Sequence, residues 1–205
     1  QHGPLVMLLS AALALLVGAE RRPALAALAA LPLAAAFIVR PTSAIEVAAF
    51  GTWVLVRYPR EFFKFAALGA AVALPWLAYN LYIFHKPLPL YFYPQRLRTP
   101  SFWVGFFGQV VIPSRGLLVF SPICLLAIPG FFASLRDPDR RGLHIAMAVA
   151  IVLHWIMLGR FPHWFGGHSY GPRLMTDVLP MVVYFIVYFW SVSGVRRPTL
   201  AAITA

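Results

Sequence analysis

Seven apolar runs follow one another along this chain, at 4–19, 23–39, 43–56, 65–84, 117–135, 143–158 and 174–195, each closed by charge or by a Pro/Gly cluster. Such runs leave few choices. Lipid offers no partner to an unpaired backbone group, so a segment buried in it closes its hydrogen bonds within a helix or in a closed barrel. The alternation of barrel strands is absent here. The expectation is an all-α fold: a polytopic transmembrane helix bundle of about seven membrane segments. Several runs fall short of the roughly 20 residues that span a bilayer. The first three are short enough that a tilted or re-entrant hairpin is expected there.

The charge content fits that reading. Only 11% of the 205 residues are charged and 61% are hydrophobic, whereas a soluble domain is about a quarter charged. Seventeen Lys and Arg stand against six Asp and Glu, for a net charge of +11. Here the arginines flank apolar runs, where they meet anionic headgroups. No basic run with interleaved stacking aromatics reads as a nucleic-acid module. Membrane lipids are therefore the expected partners, and nucleic acid is not. The single cysteine, Cys124, lies in an apolar run. It excludes a disulfide framework or a Cys-based metal site within the chain and packs as a small hydrophobe. The chain opens Gln1-His2-Gly3 without a signal-peptide pattern and stops soon after Arg196-Arg197. A single transmembrane domain over 1–205, a fragment of a larger membrane protein, is expected.

Orientation follows from short basic stretches. If every run crosses, Arg21-Arg22, Arg57/Arg60/Lys64, Arg136/Arg140/Arg141 and Arg196-Arg197 share one side. The positive-inside rule makes that side cytoplasmic. The outward side then holds Arg40-Pro41, an interfacial loop at 85–116 and a Gly/His-rich loop at 160–173.

Those outward stretches carry the chemistry. The first loop sets Lys86, Arg96, Arg98 and Arg115 among many aromatics. It is either an interfacial loop held by an aromatic belt or a groove that grips a lipid-linked substrate, with arginine binding phosphate bidentately. Arg40 precedes Pro41, a residue suited to the first turn of a helix. Arg40 either snorkels to headgroups or clamps a phosphate. Glu46 lies about a turn and a half further in. A carboxylate inside an apolar run needs a partner; Arg40 or another outer arginine is the expected one, and a catalytic role for Glu46 is the alternative.

The stretch FPHWFGGHSYGPRLMTD at 161–177 is too decorated for a plain connector. Gly166-Gly167 and Gly171-Pro172 break helix and allow tight backbone. Arg173 and Asp177 stand four apart, so on a helix they share a face and could pair. His163 and His168 flank the glycines. Two loop histidines without a carboxylate cluster make a poor metal site, and no metal is assigned. Hydrogen bonding to substrate oxygens, or proton shuttling, fits them as well. His144 and His154, ten apart in the sixth run, read as satisfied core or interface histidines.

Four segments, FIVRPTSAIEVAAFGTWVLVR, LPWLAYNLYIFHKPLPLYF, IPSRGLLVFSPICLLAIPG and WFGGHSYGPRLMTDVLP, occur in that order. Together, from about residue 37 to 180, they resemble the later transmembrane region of bacterial GT-C glycosyltransferases, the mannosyltransferase-like integral membrane group. The resemblance implies transfer of a sugar from a polyprenyl-phosphate donor on the outer face of a bacterial inner membrane. It implies a phosphate clamp of Arg40, Arg115 and Arg173, with sugar or acceptor contacts from His163, His168 and Tyr170. Asp177 would orient Arg173. The family's acidic residue in the first outer loop has no counterpart here, so no catalytic residue is assigned. No cofactor is identified, and any divalent metal is expected only in a complete enzyme. The competing expectations are a lipid-linked substrate transporter or flippase and a non-catalytic membrane subunit. A transporter would place ionisable groups near mid-membrane and show internal repeats. The sequence offers only Glu46 and two histidines there, and no repeat.

Overall fold

A computed structural model describes residues 2–89, 92, 101–166 and 171–193. Among these residues all regular structure is helical. In chain order the helices are α1 (His2–Gly18), α2 (Ala24–Leu28), α3 (Ala30–Val39), α4 (Ala44–Arg57), α5 (Pro59–Phe84), α6 (Phe102–Val111), α7 (Leu117–Phe120), α8 (Ala127–Ser134), α9 (Arg141–Gly159) and α10 (Leu179–Val192). Short 3-10 turns at Pro41–Ser43, Pro122–Leu126 and Arg173–Val178 lead into α4, α8 and α10.

Among the described residues, three helical stretches are long and apolar enough to cross a membrane: Pro59–Phe84, Arg141–Gly159 and Arg173–Val192, the last a 3-10 turn running into α10. His2–Gly18, Ala24–Val39, Phe102–Val111 and Pro122–Ser134 are apolar but shorter. The surface is apolar as well. Val56, Phe63, Tyr82, Phe132 and Val187 are all exposed. Such a surface suits lipid as the solvent.

Contacts between distant side chains fix two ends of the bundle. At one end His2, Arg40 and Asp177 meet, from the starts and stops of α1, α3 and α10. At the other, Arg140 before α9 donates to Glu20 after α1 at 2.6 Å. α4 and α9 run antiparallel between these ends. Glu46 faces His154 near the first end, and Trp53 lies against Gly142 near the second. The core between them is lined by small and medium side chains, including Leu5, Ala12, Ala26, Ala30, Leu33 and Ala36. Small residues let helix backbones approach closely where dispersion, not dehydration, holds helices together.

Several boundaries differ from the sequence reading. The basic stretch after the third run is not a loop. Tyr58 alone separates α4 from α5, and Pro59 opens α5, because proline at the first helical position gives up no hydrogen bond. Within 85–116, read as a loop, residues Phe102–Val111 form α6. That helix packs on α9. A Cβ at Gly105 would lie 3.1 Å from the Gly159 carbonyl oxygen. Phe106 stacks on Trp155 with ring centroids 4.2 Å apart, and Trp155 Nε1 donates to the Phe106 carbonyl at 2.7 Å. The run at 117–135 is split into α7, a 3-10 turn and α8 by Pro122, which lacks the amide a continuous helix needs.

Candidate functional site

The end of the bundle that gathers His2, Arg40 and Asp177 is built from four parts of the chain. Arg40 leaves α3 in extended backbone, and Pro41 then starts a new turn. This change of direction swings the guanidinium inward, and the residue is only 4% exposed. Its Nη1 donates to Asp177 Oδ1 at 2.8 Å. Thr42 Oγ1 donates to Asp177 Oδ2 at 3.2 Å. Asp177 is thus held by the segment that joins α3 to α4, 137 positions away from Arg40 in sequence. The expected Arg173–Asp177 pair does not form. Residues Arg173–Val178 are a 3-10 turn, in which positions three apart, not four, lie above one another.

Arg173 is exposed and turns to His2 instead, donating from Nε to Nε2 at 3.0 Å. On the other side of the same ring, Arg40 Nη1 lies 2.9 Å from Nδ1. Thr176 Oγ1 lies 2.8 Å from that nitrogen too. A neutral imidazole has one donor and one acceptor nitrogen. It cannot accept from both guanidinium groups, so one of the two cations faces an N–H. Arg40 has Asp177 as a second acceptor, so Arg173 is the cation that the ring can leave facing an N–H.

Beneath the mouth lies a buried ionisable group of side chains. Glu46 and His154 are fully buried. His154 Nδ1 lies 3.3 Å from Glu46 Oε1. Its Nε2 lies 3.4 Å from the Leu174 carbonyl oxygen and 3.7 Å from Asp177 Oδ2. The partner of Glu46 is therefore His154, not an arginine. Among the described residues, Arg40 Nε, Ser43 Oγ, both Glu46 oxygens and His154 Nδ1 are buried here without a hydrogen-bond partner, and Glu20 Oε1 is the one such atom at the opposite end. Buried charges persist only when balanced. Two carboxylates, Glu46 and Asp177, stand against one guanidinium, Arg40, with the His154 ring between them.

Of the remaining expected site residues, Arg115 and His163 are described. Arg115 donates to the Phe165 carbonyl and stacks over the Phe165 ring at 5.6 Å. The Gly171 amide donates to the Ser114 carbonyl at 3.2 Å, which ties the Arg115 segment to the start of the Arg173 turn. Gly171 has φ +80°, a backbone region that favours glycine. His163 is exposed, with the Phe161 and Phe165 rings 6.1 and 5.7 Å away. His168 and Tyr170 lie outside the described residues, as do Arg96 and Arg98. Among the described residues no group of three or more His, Cys, Asp or Glu side chains could hold a metal ion.

His154 is the residue that sequence reasoning missed. His144, on the same helix, is satisfied: Nδ1 meets the Ser134 carbonyl at 3.0 Å and Nε2 meets the Tyr184 hydroxyl at 3.0 Å. His154 is not. A usable signal was present in depth. Glu46 sits in the first turn of α4, and His154 about a turn and a half before the end of α9, so antiparallel neighbours would bring them level.

The chain matches no protein-family model, no curated protein and no solved structure. What the fold and the site define is a class: among the described residues, an all-helical protein with three helices long and apolar enough to cross a membrane and an ionisable cluster at one end.

Proposed function

We propose that this chain is part of a membrane glycosyltransferase of the GT-C kind. It handles a polyprenyl-phosphate sugar at the His2 end of the bundle, on the extracytoplasmic side of a bacterial inner membrane. All seven apolar runs cross in this reading, the shorter ones tilted.

One observation carries the reading: Arg40 and Arg173 converge on the single imidazole of His2, over the buried Asp177. A phosphate oxygen at the mouth supplies the acceptor that His2 cannot give to both cations. A leaving lipid phosphate gains charge as the sugar departs, and preorganised guanidinium groups stabilise that charge. Arg173 is exposed and makes the direct contact. Arg40, buried and held by Asp177, fixes the geometry of the mouth. Arg115 borders it, and His163, His168 and Tyr170 are assigned to sugar or acceptor.

The test is sugar transfer from a polyprenyl-phosphate donor by the protein in membranes, compared with Arg173→Ala. The variant is expected to insert normally and to lose transfer. Full transfer by the variant removes Arg173 from the clamp. The buried Glu46, His154 and Asp177 favour one second reading, a transporter of lipid-linked substrate, since such groups mark ion pathways in membrane proteins. Movement of the labelled lipid between leaflets without sugar transfer would select it.

A further inference from the structure

We infer that His2, Asp177, His154 and Glu46 form a proton line, which loads one proton from the His2 mouth onto the buried Glu46. The four groups come from four segments, α1, the 3-10 turn before α10, α9 and α4. His2 Nδ1 lies 3.4 Å from Asp177 Oδ1, Asp177 Oδ2 lies 3.7 Å from His154 Nε2, and His154 Nδ1 lies 3.3 Å from Glu46 Oε1. Exposure falls along the line. The His2 side chain is 22% exposed, that of Asp177 is 1%, and His154 and Glu46 are closed off. The only member open to solvent is therefore His2.

A structural ion pair closes at least one good hydrogen bond, as Arg140 does with Glu20 at 2.6 Å while the second Glu20 oxygen stays unpartnered. The Glu46–His154 pair leaves both Glu46 oxygens and His154 Nδ1 without a hydrogen-bond partner among the described residues. Asp177, by contrast, is engaged by Arg40 and Thr42. The other groups facing the line are Arg173 on His2, Thr176 on His2 and Asp177, the Leu174 carbonyl on His154, and the buried Ser43 hydroxyl one turn from Glu46. The guanidinium groups do not release protons at accessible pH. Imidazole can gain a proton on one nitrogen and lose one from the other.

The transfer balances. A hydronium ion at the mouth gives its proton to His2 and leaves as water, and the His2 Nδ1–H bond breaks as an O–H bond forms on Asp177. The Asp177 carboxyl turns by half a rotation, so that Arg40 and Thr42 each donate to the other oxygen, and its O–H bond breaks as an N–H bond forms on His154 Nε2. The His154 Nδ1–H bond then breaks as an O–H bond forms on Glu46 Oε1. His2 and Asp177 return to their starting charge, His154 changes only its tautomer, and Glu46 becomes a carboxylic acid. The line stands on geometry and does not depend on the transferase reading. Within that reading it gives the proton of an acceptor hydroxyl somewhere to go.

The experiment is infrared difference spectroscopy of the protein in lipid bilayers, between mildly acidic and mildly alkaline pH, in H2O and D2O. A protonated-carboxyl C=O band is expected in the native difference spectrum, shifted by D2O. It is expected to vanish in Glu46→Gln, to move in Glu46→Asp and to load more slowly in His2→Ala. It is expected to persist in His144→Phe, at the opposite end. A native spectrum without the band, a band retained in Glu46→Gln, or a band unmoved in a folded Glu46→Asp overturns the proposal. Because no sugar or lipid phosphate is present, this outcome is independent of the transfer assay.

Discussion

The two histidines of α9 sit in opposite environments. His144, near the Glu20–Arg140 end, has a partner for each ring nitrogen and is packed among Tyr184, Phe185 and Tyr188. His154, near the Arg40–Asp177 end, faces two carboxylates at distances longer than good hydrogen bonds. The first end is largely closed: Arg140 binds Glu20, Lys64 binds Glu61 at 3.0 Å, and one Glu20 oxygen is left over. The second is open chemistry, with two arginines sharing one imidazole and a buried glutamate left without a donor. Stability asks for the first arrangement. The second stores unmet hydrogen-bonding capacity, which is useful only if something binds or moves there.

Substitutions at the two ends should separate these roles. The largest loss of stability is expected from Arg40→Ala, which leaves Asp177 buried and unpaired, at about 3–5 kcal/mol. Thermal unfolding in detergent would register it, and an unchanged midpoint would mean that Asp177 is not buried as a charge. His144→Phe should cost about 1–3 kcal/mol, because two hydrogen bonds, to the Ser134 carbonyl and to the Tyr184 hydroxyl, are lost. Glu46→Gln should cost less than His144→Phe, since neutralising a carboxylate that receives no donor removes little. A larger cost for Glu46→Gln would show the two ends to be alike. Lys64→Ala, in an exposed pair three residues apart, should fall below about 0.5 kcal/mol.

Much of this architecture was legible in the sequence because lipid permits so few backbone solutions. The apolar runs became helices, and their alternation placed Arg40 and Arg173 at one end with Glu20 and Arg140 at the other. The helix at Phe102–Val111 was not legible. Its glycines and aromatics read as interface, and only packing against Gly159 and Trp155 explains them. The arginines at the mouth were found from their positions beside proline and glycine. Their partners were not, because Arg40–Asp177 and Glu46–His154 span the chain and no local pattern states which helices are neighbours. Spacing four on a presumed α-helix favoured Arg173–Asp177, and the 3-10 turn replaced that geometry.

The claim that the His2 end is built for an anionic lipid, and the Glu20 end is not, can be measured directly. Polyprenyl phosphate would be titrated into the protein in nanodiscs, with the uncharged polyprenol as control. Native protein, Arg173→Ala and Arg136→Ala would be compared at the same ionic strength. The account predicts that Arg173→Ala weakens phosphate-lipid binding about tenfold or more, the scale of one lost charge-assisted hydrogen bond, while Arg136→Ala binds as the native protein does. Equal weakening by both variants, or equal binding of phosphate and alcohol, would contradict it.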